Sequence, residues 1–519
     1  MTRPSPAKLA LARGVGAISR LRGGGGTSAP GKLLMRLEPN AIGELGARLE
    51  QGSVLVSATN GKTTTATMIA GILEGTGVRL VHNRAGANMA GGIATTLLAA
   101  ARPRGAIDGQ LGLFEVDELW LGALARELHP RAILLANLFR DQLDRYGELE
   151  TIAERWEQTL RAHPRAQLVL NADDPLVADL GRTLKGTPHD GGQAGEGGQA
   201  GDGGQAAGRA GVLYFGVEDD SLALAGMAHA ADAKHCRRCG APYVFDAVYL
   251  GHLGHYHCPS CGQTRPRPTL KATDVRLNGV RSASFTLHTP AGRAEVSLEL
   301  PGLYNVYNAL AAAALATALD VPLDRIVAGL RQTRAAFGRA ESVTLAARPR
   351  AGDARPRAST PSPGNGAASS GNGHTPAGRE LRILLVKNPA GANEVLRTLA
   401  LEPGEHDLLG VLNDHIADGR DVSWIWDADF ELLAGRVRRA TCAGTRAADL
   451  AARLKYAGIE PARIHVREQL AEALDDAAAD RPAGAADSTP PLFALPTYTA
   501  MLELRELLVA RGEATSAWS

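Results

Sequence analysis

A glycine-lysine turn placed between a short apolar run and a helix-like stretch constrains this chain more than any other feature. Residues 53–57 (Ser-Val-Leu-Val-Ser) read as a buried strand, and Ala58-Thr59-Asn60-Gly61-Lys62-Thr63-Thr64-Thr65 follows at once. Strand, tight turn and helix N-terminus together make a phosphate cradle. Backbone N–H groups face an anion, a lysine reaches the outer phosphates, and a hydroxyl sits on Mg²⁺. The reading assigns Thr59, Asn60, Gly61, Lys62, Thr63 and Thr64 to ATP, with Thr63 also on Mg²⁺. The general pattern carries a further glycine five residues before Gly61, where this chain has Val56.

Further strand candidates at residues 111–116, 132–138 and 167–171 alternate with helical patterns, which argues for a mostly parallel sheet. The alternation resumes at 381–387, 408–412 and 463–466, with a helix at 447–457, and predicts a second, smaller α/β domain. Between the two lie stretches too poor in apolar residues to offset their ordering entropy. One is the Gly-Gly-Gln-Ala repeat at 186–210, expected as a disordered insertion. The other, 346–379, is expected as a disordered linker. The domain reading is therefore an N-terminal segment 1–48, a central ATP-binding domain 49–345, the linker, and a C-terminal domain 380–512.

With 519 residues, 45% of them hydrophobic, the chain can bury more than one core. A formal charge of +1 supplies no overall basic field of the kind nucleic-acid binders carry. No apolar run approaches the roughly 20 residues of a membrane span. The N-terminal segment carries Arg3, Lys8, Arg13, Arg20 and Arg22 and has no unbroken apolar stretch of the signal-peptide kind. It reads as a solvated helix or as one touching an anionic membrane or a partner.

Cys236-x-x-Cys239 and Cys258-x-x-Cys261 are two knuckles suited to tetrahedral thiolate coordination of Zn²⁺. Four thiolates close the site, which makes it structural, and delimits a zinc ribbon at 232–268. Cys442 stands apart and reads as a small buried residue.

Acidic and polar residues fall where strands end. Glu115, Asp117 and Glu118 follow one strand, Asn137 the next, and Asn171, Asp173 and Asp174 the third. Ligands of open α/β sheets bind at the carboxyl ends of strands. Glu115 is the candidate carboxylate for Mg²⁺.

In this order, the glycine-lysine turn, Glu115, residues 137–147, Asn171-Ala172-Asp173-Asp174, Pro301-Gly302-Leu303-Tyr304-Asn305, Gly338-Arg339-Ala340-Glu341 and Gly444-Thr445-Arg446 resemble the Mur ligases. The ribbon, Lys387-Asn388-Pro389-Ala390-Gly391, residues 417–424 and 495–501 narrow the resemblance to the MurT group, the synthetase subunits of lipid II isoglutaminyl synthases. The resemblance implies a Mur-ligase-like central ATPase domain with a parallel sheet and zinc-ribbon insertion, plus a C-terminal Mur-ligase-type domain. Two departures from the peptide-forming members stand out. The phosphate loop begins near residue 58, so no UDP-binding domain is expected before it. No lysine occurs between Lys62 and Lys185, so the carbamylated lysine that holds a second Mg²⁺ in several members has no counterpart.

The resemblance further implies that ATP phosphorylates the α-carboxyl of D-glutamate in the lipid II stem peptide and that ammonia then displaces phosphate. Lys62 and Glu115 serve catalysis in this reading. Asn171, Asp173, Asp174 and Arg339 join the nucleotide site, with an Arg339–Glu341 ion pair as the alternative. Ammonia has to come from a partner, a GatD-like glutaminase forming a heterodimer, because the chain shows no glutaminase nucleophile. Either Asp418 or Asp421 is expected at the catalytic centre, orienting a histidine of that partner or assisting amidation. The plain alternative is a turn at Asp418-Gly419 and a cap at Asp421. The expected setting is the cytoplasm, with contact to the inner face of the plasma membrane left open. Two other functions remain at this point: a polyglutamate- or cyanophycin-type amino-acid ligase, and an ATP-gated zinc-ribbon module that binds nucleic acid.

Overall fold

The computed structural model describes residues 5–21, 28–83, 87–102, 106–141, 149–183, 211–227, 231–334, 339–346, 378–479 and 490–515. The expected disordered insertion, nearly all of the expected linker, and residues 142–147 of the polar string after the third predicted strand lie outside the described residues. The chain divides into two compact units, Met1–Arg334 and Ala335–Ser519.

The first unit is built on β1 (Ser53–Ser57), β2 (Leu80–His82), β3 (Leu111–Glu115), β4 (Ala132–Leu135), β5 (Gln167–Asn171) and β6 (Val212–Val217). A hairpin follows, β7 (Val244–Leu250) and β8 (Leu253–His257), then a meander of β9 (Leu270–Asn278), β10 (Ser282–Thr289) and β11 (Gly292–Leu298). The large sheet runs β11-β10-β9-β6-β5-β4-β1-β3-β2. It is parallel from β2 through β9 and antiparallel across β9, β10 and β11. β1, β3 and β4 are buried throughout, as strands covered on both faces by helices must be. Because β1 lies between β3 and β4, the strand order reverses at β1, and the crevice beyond its carboxyl end is where this architecture takes ligands.

The helix Lys62–Glu74 leaves β1 and packs against the alanine-rich helix Leu303–Ala318. That second helix is buried along most of its length; small side chains let it lie close and bring Tyr307 and Asn308 to the strand ends. The N-terminal segment is not a solvated appendage. Leu9, Ala12, Leu34, Ile42 and Leu45 are buried in the same core as Leu55 and Phe114. Lys8 pairs with Glu38 at 3.0 Å, and Arg13 donates to the carbonyl of Leu98 at 3.0 Å and to that of Ala101.

The second unit holds β12 (Arg339–Leu345), β13 (Arg379–Leu384), β14 (His406–Val411), β15 (Val437–Ala443), β16 (Ile464–Val466) and β17 (Leu492–Pro496), in the order β12-β13-β17-β14-β15-β16. Only β12 is antiparallel, to β13. Residues 339–345, grouped by the sequence with the central domain, thus form the edge strand of the second sheet. Arg379 is buried and bonds Asp407 and the carbonyl of Ala477, tying β13 to β14 and to the helix Leu470–Ala479. No helix among the described residues is long and apolar enough to cross a membrane.

Candidate active site and metal centre

β1 delivers the loop 58–61 to the switch point. Val56 lies inside β1, paired with Glu115 and Leu134, so the turn is confined to four residues. Asn137, at the end of the neighbouring strand, clamps it: its side-chain oxygen accepts from the N–H of Asn60 at 2.9 Å, and its amide donates back to the Asn60 carbonyl at 2.9 Å. Gly61 takes φ +84°, and a Cβ there would lie 2.1 Å from Asn308 Oδ1. Only glycine fits a left-handed turn pressed against another side chain. Gly61 caps the helix Lys62–Glu74 without a side-chain cap. The first helical N–H groups, which lack intrahelical acceptors, are therefore left for a ligand.

Lys62 is buried, 3.1 Å from Glu118 Oε2, and donates to the carbonyls of Ala58 and Thr59. Its ammonium sits in the mouth of the loop, held by groups that a phosphate oxygen could replace. Thr63 Oγ1 donates to Glu115 Oε1 at 3.0 Å. Asn83 fixes Glu115 from both sides, accepting from its N–H at 2.9 Å and donating to its carbonyl at 2.8 Å. A hydroxyl and a carboxylate held side by side at a phosphate loop form the oxygen donor set that Mg²⁺ prefers.

The other expected nucleotide residues take different positions. Thr59 is buried and bonds the backbone of Phe139. Asn171 joins strand ends, donating to the Ala136 carbonyl and accepting from the Asp173 N–H. Asp173 is fully buried and accepts from Arg265 at 2.6 Å, Tyr307 at 2.7 Å and the Val217 N–H at 2.8 Å. Asp174 accepts from the N–H groups of Leu138, Leu176 and Val177. These three side chains are engaged by protein groups. Arg339 begins β12 in the second unit and its side chain lies outside the described residues; Glu341 is taken by Arg505. Asn83, Asn137 and Glu118 are the site residues that the sequence reading left without a role, and Asn137 and Glu118 were visible in it as strand-end polar residues.

The four ribbon cysteines converge. Their sulfurs all lie within 4.8 Å of one another, with Cys236–Cys261 at 3.6 Å and Cys239–Cys258 at 3.4 Å. Tetrahedral Zn²⁺ with Zn–S bonds of about 2.3 Å sets sulfurs about 3.8 Å apart, so the cage fits. Each knuckle repeats one turn: Cys236 N–H donates to Ala241 O and Gly240 N–H to Cys236 O, and Cys258 and Gly262 do likewise. Gly240 and Gly262 supply the positive φ that these turns need. The backbone N–H of Cys261 aimed at Cys258 pulls that thiol down to about 6, while burial and the neighbouring sulfurs push the Cys261 thiol up to about 12, so the sulfurs share protons that a bound cation would displace. Arg237 pairs with Glu157 at 2.6 Å and Arg238 with Asp179 at 2.7 Å, which fastens the ribbon to the domain.

In the second unit the loop after β14 carries both candidate aspartates. Asp418 is buried and accepts from the N–H of Thr499 at 2.8 Å and from its hydroxyl, hooking the loop onto the helix Tyr498–Ala510. Asp421 is exposed and accepts from the Ser423 N–H at 2.8 Å. The Ser423 side chain and N–H hold its carboxyl below the ordinary range. Cys442 is buried, and burial pushes its thiol up to about 12, which removes it as a nucleophile.

Known proteins resemble this chain at every level. The Mur ligase middle domain matches residues 56–211 and the MurT ligase C-terminal domain residues 385–501. The lipid II isoglutaminyl synthase (glutamine-hydrolyzing) subunit MurT of Streptococcus pneumoniae is 31% identical over 498 residues, covering 95% of this chain and 94% of that protein. Its counterpart from Staphylococcus aureus is 28% identical over 443 residues, 85% of each. A pseudomurein peptide ligase type C from Methanothermus fervidus shares the fold, with TM-score 0.58 and 22% identity over 89% of this chain and 79% of that one. The middle-domain match falls on the glycine-lysine turn and Glu115, the C-terminal match on the aspartate loop, and the pneumococcal match on nearly the whole length: the chain belongs to the MurT family of Mur ligases.

Proposed function

We infer that this protein is the ATP-using subunit of a lipid II isoglutaminyl synthase. Near-complete alignment with the pneumococcal MurT subunit carries the reading. A carboxylate is a poor electrophile, since its charge repels a nucleophile and its leaving group is oxide. Transfer of the γ-phosphoryl group to the α-carboxyl oxygen of D-glutamate, with departure of ADP, converts that oxide into phosphate. Ammonia then attacks the carbonyl carbon, the C–O bond to phosphate breaks, a proton is lost, and the amide remains. Lys62 and the loop N–H groups stabilise charge on the phosphoryl oxygens in transit. Thr63 and Glu115 would hold Mg²⁺, which when bound would neutralise charge on the nucleotide phosphates. Zn²⁺ on the four cysteines is structural.

The amine comes from a GatD-like glutaminase partner in a heterodimer. Ile416, two residues before Asp418, is 76% exposed. Of the two aspartates, Asp421 is the one a partner can reach, and Asp418 serves the loop's shape. A cytoplasmic enzyme working on lipid II at the inner membrane face completes the reading.

The test is co-expression with the glutaminase, then mass analysis of lipid II after incubation with ATP and glutamine. The expected product is lighter than substrate by the difference between OH and NH₂; unchanged lipid II with ADP released, or no ADP at all, refutes the reading. Purified protein is expected to hold one zinc, and Cys258→Ser to lose it and to cost more than about 3 kcal/mol of stability. Metal analysis and thermal melting check this, and a variant that keeps zinc counts against the site.

A further inference from the structure

The ribbon does more than sit on the domain surface. Its cysteines close the open end of the β7–β8 hairpin, and the turn at the other end, Gly251-His252, enters the wall of the phosphate-loop crevice. His252 is fully buried. Its ring lies 4.6 Å from that of Phe139, centroid to centroid, and its Nε2 is 3.4 Å from Asp174 Oδ2. That same carboxylate oxygen accepts from the N–H of Leu138 at 2.8 Å. Gly251 takes φ +61°, and a Cβ there would meet Phe139 Cε1 at 2.8 Å. Just before the first knuckle, Asp232 accepts from the backbone N–H of Arg140 at 2.9 Å.

Three consecutive residues, Leu138, Phe139 and Arg140, are thus held by the hairpin turn, by Asp174 beneath it and by the ribbon's leading edge. Phe139 in turn holds the phosphate loop. Its N–H donates to Thr59 Oγ1 at 3.0 Å, the same hydroxyl donates to the Phe139 carbonyl at 3.2 Å, and the Thr59 N–H donates to Asn137 O at 3.1 Å. A buried ring contact tolerates little movement, because protein interiors are packed like crystals.

We propose that the ribbon hairpin is a strut for the phosphate loop: His252 positions Phe139, and Phe139 positions Thr59 and the loop amides that bind nucleotide. His252 is a positioning residue and touches no substrate. The proposal rests on the reading of residues 58–64 as the ATP site. It commits the strut to nucleotide affinity, where a purely structural ribbon would affect folding alone.

The experiment is calorimetric titration of the full chain with Mg-ATP, with zinc content and melting temperature measured on the same samples. His252→Ala and Gly251→Ala are expected to weaken binding by about tenfold with zinc retained, and His252→Phe, which keeps a ring against Phe139, to stay within about twofold of wild type. Amide hydrogen exchange at Thr59 and Asn60 is expected to rise in the two alanine variants and not in His252→Phe. Wild-type affinity in zinc-loaded His252→Ala overturns the strut. Should that variant fail to fold, the comparison of Gly251→Ala with His252→Phe decides, and equal affinities overturn it. Absence of ATP binding in the wild type is a separate failure, of the nucleotide-site reading itself.

Discussion

Replacing Lys62 by methionine is expected to lower ATP-dependent amidation by about 10³-fold, the loss typical of removing one preorganised donor from a site where charge develops. A second effect accompanies it. Lys62 and Glu118 form a nearly buried pair at 3.1 Å, and removing one partner leaves an uncompensated buried carboxylate, at a cost of about 3–5 kcal/mol. The single variant therefore loses turnover and stability together. The double variant Lys62→Met, Glu118→Gln separates them: removing both charges is expected to restore most of the melting temperature and none of the turnover. Zinc content stays at the wild-type value throughout, since the cysteines lie on another part of the unit. ADP release in the presence of lipid II, glutamine and the partner is the measurement. Turnover within tenfold of wild type in either variant would mean that the phosphoryl group is stabilised elsewhere.

The parallel heart of both sheets was readable because its strands are short apolar runs beside helical periodicity. Residues 53–57 and 167–171 coincide with β1 and β5, and residues 132–138 overrun β4 because Ala136, Asn137 and Leu138 continue the run while bonding as a loop. The β9–β11 meander leaves only a faint local trace, the period-2 alternation of buried Ala283, Phe285 and Leu287 in β10. β12 follows the central domain in sequence but belongs to the second unit. Strand pairing decides membership, and pairing with β13 across a long intervening segment leaves no local trace.

The site divides in the same way. The turn at Gly61 and the convergence of the cysteine knuckles are legible because backbone geometry there is dictated locally. Contacts made across the fold are not. Asp173 and Asp174 stand at a strand end like a ligand-binding pair, and nothing in the string reveals that Arg265, Tyr307 and the N–H of Leu138 occupy them. His252 likewise carries no local sign of its place, since only the hairpin brings it against Phe139.

Asp421→Asn is expected to lower glutamine-driven amidation by about 10³–10⁴-fold while leaving Mg-ATP affinity unchanged, as loss of the carboxylate does when it fixes a catalytic histidine's tautomer. The physical case is accessibility joined to charge. Hydrogen bonds from Ser423 hold the Asp421 carboxyl below the ordinary carboxylate range, and the residue is exposed, so an imidazole N–H from a second protein can reach it. Both oxygens of buried Asp418 are engaged by Thr499, and Asp418→Asn is expected to loosen the loop and lower the melting temperature first. Ammonium chloride at alkaline pH separates the two roles open to Asp421. If it orients the partner's histidine, free ammonia bypasses the lesion and restores amidation. If it acts in the amidation step itself, added ammonia restores nothing. Wild-type glutamine-driven activity in Asp421→Asn excludes both and returns the choice to Asp418.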